Sequence, residues 1–164
     1  MMKSWLTIFA FFAVLTSCSA PQEETAFSER PARVVSLDFC ADQYALKLLD
    51  KDRILALSPD AEKNFSYMRD KAKGIRKTRA LAEDVMNLKP DLVIRSYGGG
   101  PNAAAYFEKL GIPVVQLGYA HNIEAIKTVM RDAAIGLGEE ARGEAVVAEM
   151  DRRITALVPR IGEP

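Results

Sequence analysis

Residues 91–102 of this chain read Asp-Leu-Val-Ile-Arg-Ser-Tyr-Gly-Gly-Gly-Pro-Asn, an apolar run that leads into three glycines and a proline. The apolar residues 92–94 predict a short strand. Pro101 suits the first turn of a helix, so the segment predicts a strand, a glycine loop and a helix in succession. The loop is either a tight turn or a place where a ligand approaches the backbone closely, and spacing alone does not separate these interpretations.

The same alternation of strand and helix extends in both directions from this segment. Apolar runs at 34–37, 54–57 and 113–117 predict three further strands. Strands that are apolar on both faces and separated by helices indicate the α/β class, with a doubly wound parallel sheet of about four strands in flavodoxin-like order. Residues 139–161 predict one long amphipathic helix, which Pro159 should kink or end. The remaining helices are expected at roughly 41–49, 64–72, 80–89, 102–110 and 123–137.

The N-terminal segment differs in composition from the rest of the chain. A lysine followed by an apolar run over 5–15 predicts a signal peptide, because the run is too short to span a bilayer. Leu15-Thr16-Ser17-Cys18 resembles the bacterial lipobox, which predicts a lipoprotein signal peptide over 1–17 and a lipid on Cys18. The polar segment 18–32 predicts a flexible tether. We therefore expect an exported, lipid-anchored periplasmic protein, with a soluble periplasmic protein as the alternative.

Charge and motifs argue against several functional classes. The chain has 22 basic and 22 acidic residues, so it lacks the basic field that a nucleic-acid partner requires. Its single histidine, His121, cannot supply a His-rich metal site, and we predict none. Cys40 and His121 lie far apart in sequence, so Cys40 is interpreted as a packing residue and not as a nucleophile. The glycines lack the lysine and hydroxyl of a nucleotide-binding loop, although a small enzyme that binds a nucleotide or phosphorylated metabolite remains an alternative.

Aromatic and polar residues follow the predicted strands. Ligands on open parallel sheets bind beyond the carboxyl ends of the strands. Asp38 is interpreted as the N-cap of the next helix, whereas Asp60 is either a turn residue or a cleft residue. Three of the four strand ends carry aromatic residues, which predict an apolar wall with polar tips: Phe39, Tyr97 and Tyr119.

Four segments of the chain resemble the substrate-binding proteins of ABC importers for ferric siderophores, haem and cobalamin. The segments are Arg33-Val-Val-Ser-Leu-Asp38, Arg53-Ile-Leu-Ala-Leu57, Leu88-Lys-Pro-Asp-Leu-Val-Ile94 and Leu110-Gly-Ile-Pro-Val-Val115. The family has two α/β lobes joined by one long helix, with the ligand held between the lobes.

The resemblance implies an N-terminal lobe over 33–138, an interlobe helix over 139–161 and a short tail at 162–164. The second lobe of the family is expected to be absent. A non-binding remnant of a truncated gene is therefore a further alternative.

The resemblance also implies a function and a set of residues. The implied protein is a non-enzymatic component that captures a metal chelate and delivers it to an ABC permease and its ATPase. No cofactor is expected apart from the lipid on Cys18, and Glu83 corresponds to the glutamate that docks on the permease. The sequence itself shows a basic cluster, which is either a solvated loop or, near the cleft, a feature that attracts anionic chelates: Lys71, Lys73, Arg76, Lys77 and Arg79. With the aromatic strand ends, the expected ligand contacts are Phe39, Cys40, Asp60, Tyr67, Lys77, Arg79, Ser96, Tyr97, Gly98, Gly99 and Tyr119.

Overall fold

The computed structural model describes residues 30–161, with side chains described as far as residue 157. The predicted signal peptide, Cys18 and the tail at 162–164 lie outside the described residues, as does most of the tether. Within the described part, no helix is both long enough and apolar enough to cross a membrane. The strands are β1 (Val34–Ser36), β2 (Ile54–Ala56), β3 (Leu92–Arg95) and β4 (Val114–Gln116). The helices are α1 (Phe39–Leu48), α2 (Arg69–Ala72), α3 (Ala82–Met86), α4 (Ala103–Lys109), α5 (Ile123–Leu137) and α6 (Glu140–Ile161), and a 3₁₀ turn (Lys51–Arg53) precedes β2.

The four strands form one parallel sheet in the order β2-β1-β3-β4. Val34 of β1 lies opposite Leu92 of β3, and Val93 of β3 lies opposite Val114 of β4. Every residue of β1 and β3 is buried, because these interior strands are covered on both faces. The predicted four-stranded parallel sheet in flavodoxin-like order is confirmed.

Each face of the sheet packs on its own helices. Successive residues of a strand point to opposite faces, so neighbouring valines of the central strands belong to different cores. The first core joins the sheet to α1, α5 and α6 and includes Val34, Leu92, Ile94, Leu48, Ala133 and Val147. The second joins it to α3 and α4 and includes Val35, Val93, Val85 and Phe107. The doubly wound arrangement is thus also confirmed.

The last two helices pack closely against each other. A Cβ atom at Gly143 of α6 would lie 2.4 Å from the Cβ of Ala134 in α5, so a larger residue would push the helices apart. Gly138 adopts a left-handed conformation, with φ of 67°, and ends α5. Helix α6 continues to Ile161, so Pro159 lies in its last turn and does not end the helix. The alternative expectation, a kink at Pro159, stays a prediction.

The segments before β1 and β3 are joined by reciprocal hydrogen bonds. The Asp91 carboxylate accepts from the backbone N–H groups of Ala32 (2.8 Å) and Arg33 (2.9 Å). The Arg33 guanidinium donates to the carbonyls of Lys89 (2.8 Å) and Leu88 (2.6 Å). These charge-assisted bonds fix where the two central strands begin. They tie the Leu-Lys-Pro-Asp segment to the opening arginine.

The segment after β2 is less helical than predicted. Only residues 69–72 of the predicted helix over 64–72 are helical, and residues 59–68 consist mainly of turns. The side chain of Gln43 provides the reason. Its amide oxygen accepts from the N–H of Met68 (2.9 Å), and its amide nitrogen donates to the hydroxyl of Ser66 (3.0 Å). Both bonds hold the segment in a bent path against α1.

Candidate functional site

A cavity of about 510 Å³ opens beside the carboxyl ends of β1, β3 and β4. This is the edge at which parallel sheets bind ligands, and the volume suits an organic molecule of moderate size. Helices α1, α5 and α6 form its sides. The wall is mostly apolar and consists of Phe39, Cys40, Gln43, Tyr44, Lys47, Tyr67, Met68, Ser96, Leu117, Gly118, Tyr119, Ala120, Ile126, Met130 and Val146.

Helix α1 contributes one stripe of side chains to the cavity. Cys40, Gln43, Tyr44 and Lys47 follow the i, i+3, i+4, i+7 spacing and therefore lie on one face of the helix. The face turned towards the sheet is instead made of small and aliphatic residues such as Ala41 and Leu48. The first turn of α1 thus presents a thiol, its middle presents an amide and a phenol, and its last turn presents an ammonium group.

Two tyrosines at the cavity are almost fully exposed. The relative accessibility is 83% for Tyr67 and 90% for Tyr119. Tyr67 is placed by the Gln43 hydrogen bonds described above, while Tyr119 follows β4 and stacks on His121, with ring centroids 6.4 Å apart. Phe39 and Phe65 pack edge to face near the same place, with centroids 5.5 Å apart. Large exposed aromatic rings beside an apolar cavity are typical of a surface that binds a ligand.

Asp38 holds the loop that follows β3. One of its carboxylate oxygens accepts from Ala41 N (3.0 Å), which confirms the predicted N-cap of α1. The other oxygen accepts from the backbone N–H groups of Ser96 (2.8 Å), Tyr97 (3.0 Å) and Gly98 (2.9 Å). The loop amides that an incoming anion would need are therefore already bonded to a carboxylate.

Arg95 and the loop glycines complete this rigid turn. The buried guanidinium of Arg95 donates to the carbonyls of Gly98 and Gly100, both at 2.8 Å. A Cβ at Gly98 would lie 2.4 Å from the carbonyl oxygen of Leu37, and Gly99 and Gly100 have φ of 80° and 81°. Packing and backbone conformation thus account for all three glycines. Of the two interpretations of the loop, these contacts favour the tight turn.

The structure brings five of the predicted ligand contacts together in the wall of the cavity: Phe39, Cys40, Tyr67, Ser96 and Tyr119. Six others lie outside that wall: Asp60, Lys77, Arg79, Tyr97, Gly98 and Gly99. Of these, Tyr97 is exposed near Asp38, and Gly99 borders a smaller cavity of about 210 Å³ between α3 and α4. A role of these six residues in binding stays a prediction.

The predicted basic contacts have partners elsewhere. Lys77 donates to Glu62 (2.6 Å) and to backbone carbonyls, and Arg79 pairs with Asp84 (2.6 Å) at the start of α3. Glu83, the predicted docking residue, is exposed in the first turn of α3, on the other face of the sheet from the cavity.

Two buried carboxylates belong to the start of α1: Asp38 is its N-cap, and Asp42 lies in its first turn. Asp42 is fully buried and accepts from the Ser58 hydroxyl (2.6 Å) and the Ser58 N–H (3.1 Å). Burial raises its pKa, against the lowering effect of these hydrogen bonds. The pKa of the Cys40 thiol is also raised, first by burial and then by Asp38 and Asp42. The thiol is therefore held in its protonated form, which agrees with its interpretation as a packing residue.

Among residues 30–161, no three histidine, cysteine, aspartate or glutamate side chains converge in a way that could hold a metal ion. The sequence did not single out the cavity residues Gln43, Tyr44 and Lys47 of α1. Their shared helical spacing was the available signal, but it did not reveal that α5 and α6 leave a space beside this face. The other contacts that the sequence missed are Met68, Leu117, Gly118, Ala120, Ile126, Met130 and Val146.

Several solved structures share this fold. A possible iron-binding, periplasmic solute-binding protein from Staphylococcus epidermidis ATCC 12228 has a TM-score of 0.67 and 18% identity, over 83% of this chain and 54% of that protein. A periplasmic haem-binding protein from Roseiflexus sp. RS-1 has a TM-score of 0.65 and 25% identity, over 80% of this chain and 52% of that protein. The periplasmic vitamin B12-binding protein of Vibrio cholerae has a TM-score of 0.61 and 18% identity, over 80% of this chain and 51% of that protein.

The chain therefore spans about half the length of these structures, in agreement with the prediction of a single lobe. No curated protein sequence matches it. The sequence profile of one family, described as periplasmic binding protein, matches residues 34–163. This match includes all four strands and six helices of the described fold, and the chain belongs to the periplasmic binding protein family.

Proposed function

We propose that this chain is the N-terminal lobe of the substrate-binding component of an ABC importer, which captures a metal chelate in the periplasm and delivers it to the permease. The observation that carries the proposal is the apolar cavity with its exposed tyrosines at the carboxyl edge of the sheet. Metal chelates of this kind are bulky and present conjugated or apolar surfaces, which aromatic side chains cover favourably.

Fold relatives support this class of ligand. The structures compared above are described as binding iron, haem or vitamin B12, and another similar structure holds a ferric siderophore. Ferric siderophore, haem and cobalamin are accordingly the chelates that we propose. The phenol oxygens of Tyr67 and Tyr119 are available to approach the ligand, since both side chains are exposed at the cavity.

The delivery step is proposed on a different face of the molecule. Glu83 is exposed in the first turn of α3, whereas its neighbour Asp84 is neutralised by Arg79. We propose that Glu83 pairs with basic groups of the permease and that a lipid on Cys18 keeps the protein at the membrane. The alternative of a nucleotide-binding enzyme is less favourable, because the amides of the glycine loop already bind the Asp38 carboxylate.

The proposal is tested by equilibrium dialysis of the full chain against hemin, cyanocobalamin and a ferric tris-catecholate, each measured by its own absorption. We expect saturable binding of at least one chelate at about 50 µM or below. Ala120→Trp places an indole in the cavity wall and should abolish that binding. Ala105→Trp, on the exposed side of α4, is the matched control. Binding that is absent for all three chelates, or equal in the two tryptophan variants, would refute the proposal.

A further inference from the structure

The cavity has an electrostatic polarity along α1. Near its first turn lie the buried carboxylates of Asp38 and Asp42, whose charges act on Cys40 in the cavity wall. Lys47 lies seven residues further along the same stripe, a separation of about 10 Å at the helical rise. An anionic group in the cavity would therefore be repelled from the Cys40 end and attracted to the Lys47 end.

Within the part of the chain that the structure describes, Lys47 is the only charged side chain in the wall of this cavity. Other cations nearby have carboxylate partners: Arg142 pairs with Asp50, and Arg153 pairs with Glu149, which it shares with Arg152. Among the described residues, by contrast, the ammonium group of Lys47 has no carboxylate within ion-pair distance.

Lys47 also has a structural role, because it lies in the last turn of α1, where a cation interacts favourably with the helix dipole and stabilises the helix. Lys109 likewise lies in the last turn of α4 but does not border the cavity, so it separates the two roles experimentally. A purely structural role would make the two lysines equivalent.

We propose that Lys47 is a specificity-determining residue, which selects ligands with a negative group and orients that group towards the last turn of α1. The inference rests on the proposed function only in taking this cavity as the ligand site. It adds that the ligand is an amphipathic anion whose apolar part lies on the tyrosines and Met130 and whose charge lies at Lys47.

Two fluorescent probes with the same ring system test the inference without reference to any chelate. Anilinonaphthalene sulfonate carries one negative charge, and phenylnaphthylamine is its neutral counterpart. In the full chain, Lys47→Met should weaken binding of the sulfonate about fivefold and leave binding of the neutral probe unchanged, as expected for one ion pair to an exposed lysine. Lys47→Arg should retain the wild-type preference, and Lys109→Met should change neither affinity. Added salt should reduce the effect of Lys47.

The outcomes separate this inference from the proposed function. Equal losses for both probes, or a sulfonate affinity that does not change in Lys47→Met, would overturn the role of Lys47 even if a chelate binds. Failure of both probes to bind would overturn it as well, because the cavity would then not accept amphipathic molecules. Failure of all three chelates, with the probe discrimination intact, would overturn the proposed function and leave the role of Lys47 in place.

Discussion

Replacing Asp38 by alanine is expected to destabilise the fold far more than the loss of an ordinary helix cap. The substitution removes the N-cap bond to Ala41, worth about 1 kcal/mol. It also leaves the N–H groups of Ser96, Tyr97 and Gly98 without their acceptor, at about 1 kcal/mol each. The expected loss in the free energy of unfolding is therefore about 4 kcal/mol, a large share of the stability of a small domain.

The measurement is urea-induced unfolding of the full chain, monitored by circular dichroism. The dependence of the free energy of unfolding on urea concentration should have the same slope in all variants. Asn122→Ala is the matched control, because Asn122 caps α5 and its side chain makes one hydrogen bond among the described residues, to Ala125 N (2.7 Å). It should cost about 1 kcal/mol. The loss of stability in Asp38→Asn should lie between those of Asp38→Ala and Asn122→Ala, since the single amide oxygen of asparagine can accept from either the cap or the loop. If Asp38→Ala costs no more than Asn122→Ala, the carboxylate does not hold the glycine loop.

Three further predictions concern packing, titration and docking. Gly98→Ala should destabilise the fold by about 2–3 kcal/mol, because the new Cβ would meet the Leu37 carbonyl. Gly100→Ala should cost about 1 kcal/mol, because position 100 has open space around it but a φ of 81°. Equal losses of the two variants in urea unfolding would contradict the packing argument. Burial raises the pKa of Asp42, so the folded protein binds this proton more tightly than the unfolded chain. Its contribution to stability should therefore grow as the pH falls through the raised pKa towards about 3.8 and be lost as the pH rises. Asp42→Asn should remove this dependence in unfolding measured at pH 4 and pH 7, and an unchanged pH profile would show that Asp42 does not titrate in this way. Glu83→Arg should lower uptake of the chelate in the complete transporter while leaving chelate affinity in dialysis unchanged, and normal uptake would exclude Glu83 from docking.

The sheet could be predicted from the sequence because its signal is local. The central strands β1 and β3 are runs of three and four buried residues, and the turn residues around each strand of the sheet mark its position within one or two residues. The helices over 123–137 and 139–161 can be predicted for the same reason, since the apolar stripe of each helix lies within the segment itself. Local pattern thus sufficed wherever an element is defined by its own residues.

The site was less predictable because it depends on contacts between distant residues. The path of residues 59–68 is set by the amide of Gln43, which no pattern within that segment indicates. Position after a strand identified Phe39 and Tyr119, but Met130 and Val146 face the cavity only because α5 and α6 return to the same side of the sheet. Residues contributed by the returning helices therefore required the structure.

The two walls of the cavity differ in how firmly they are held, and this difference bears on binding. The wall at Ser96 belongs to a loop whose amides bind Asp38 and whose carbonyls bind Arg95, so a ligand meets a surface that is already formed. The wall at Tyr67 depends largely on the two hydrogen bonds of Gln43, and the phenol itself is exposed. Ordering a side chain on binding costs conformational entropy, whereas a preformed surface does not. The cavity therefore combines one rigid side with one side that can adjust, so ligands of different shape should be accommodated mainly by movement around Tyr67.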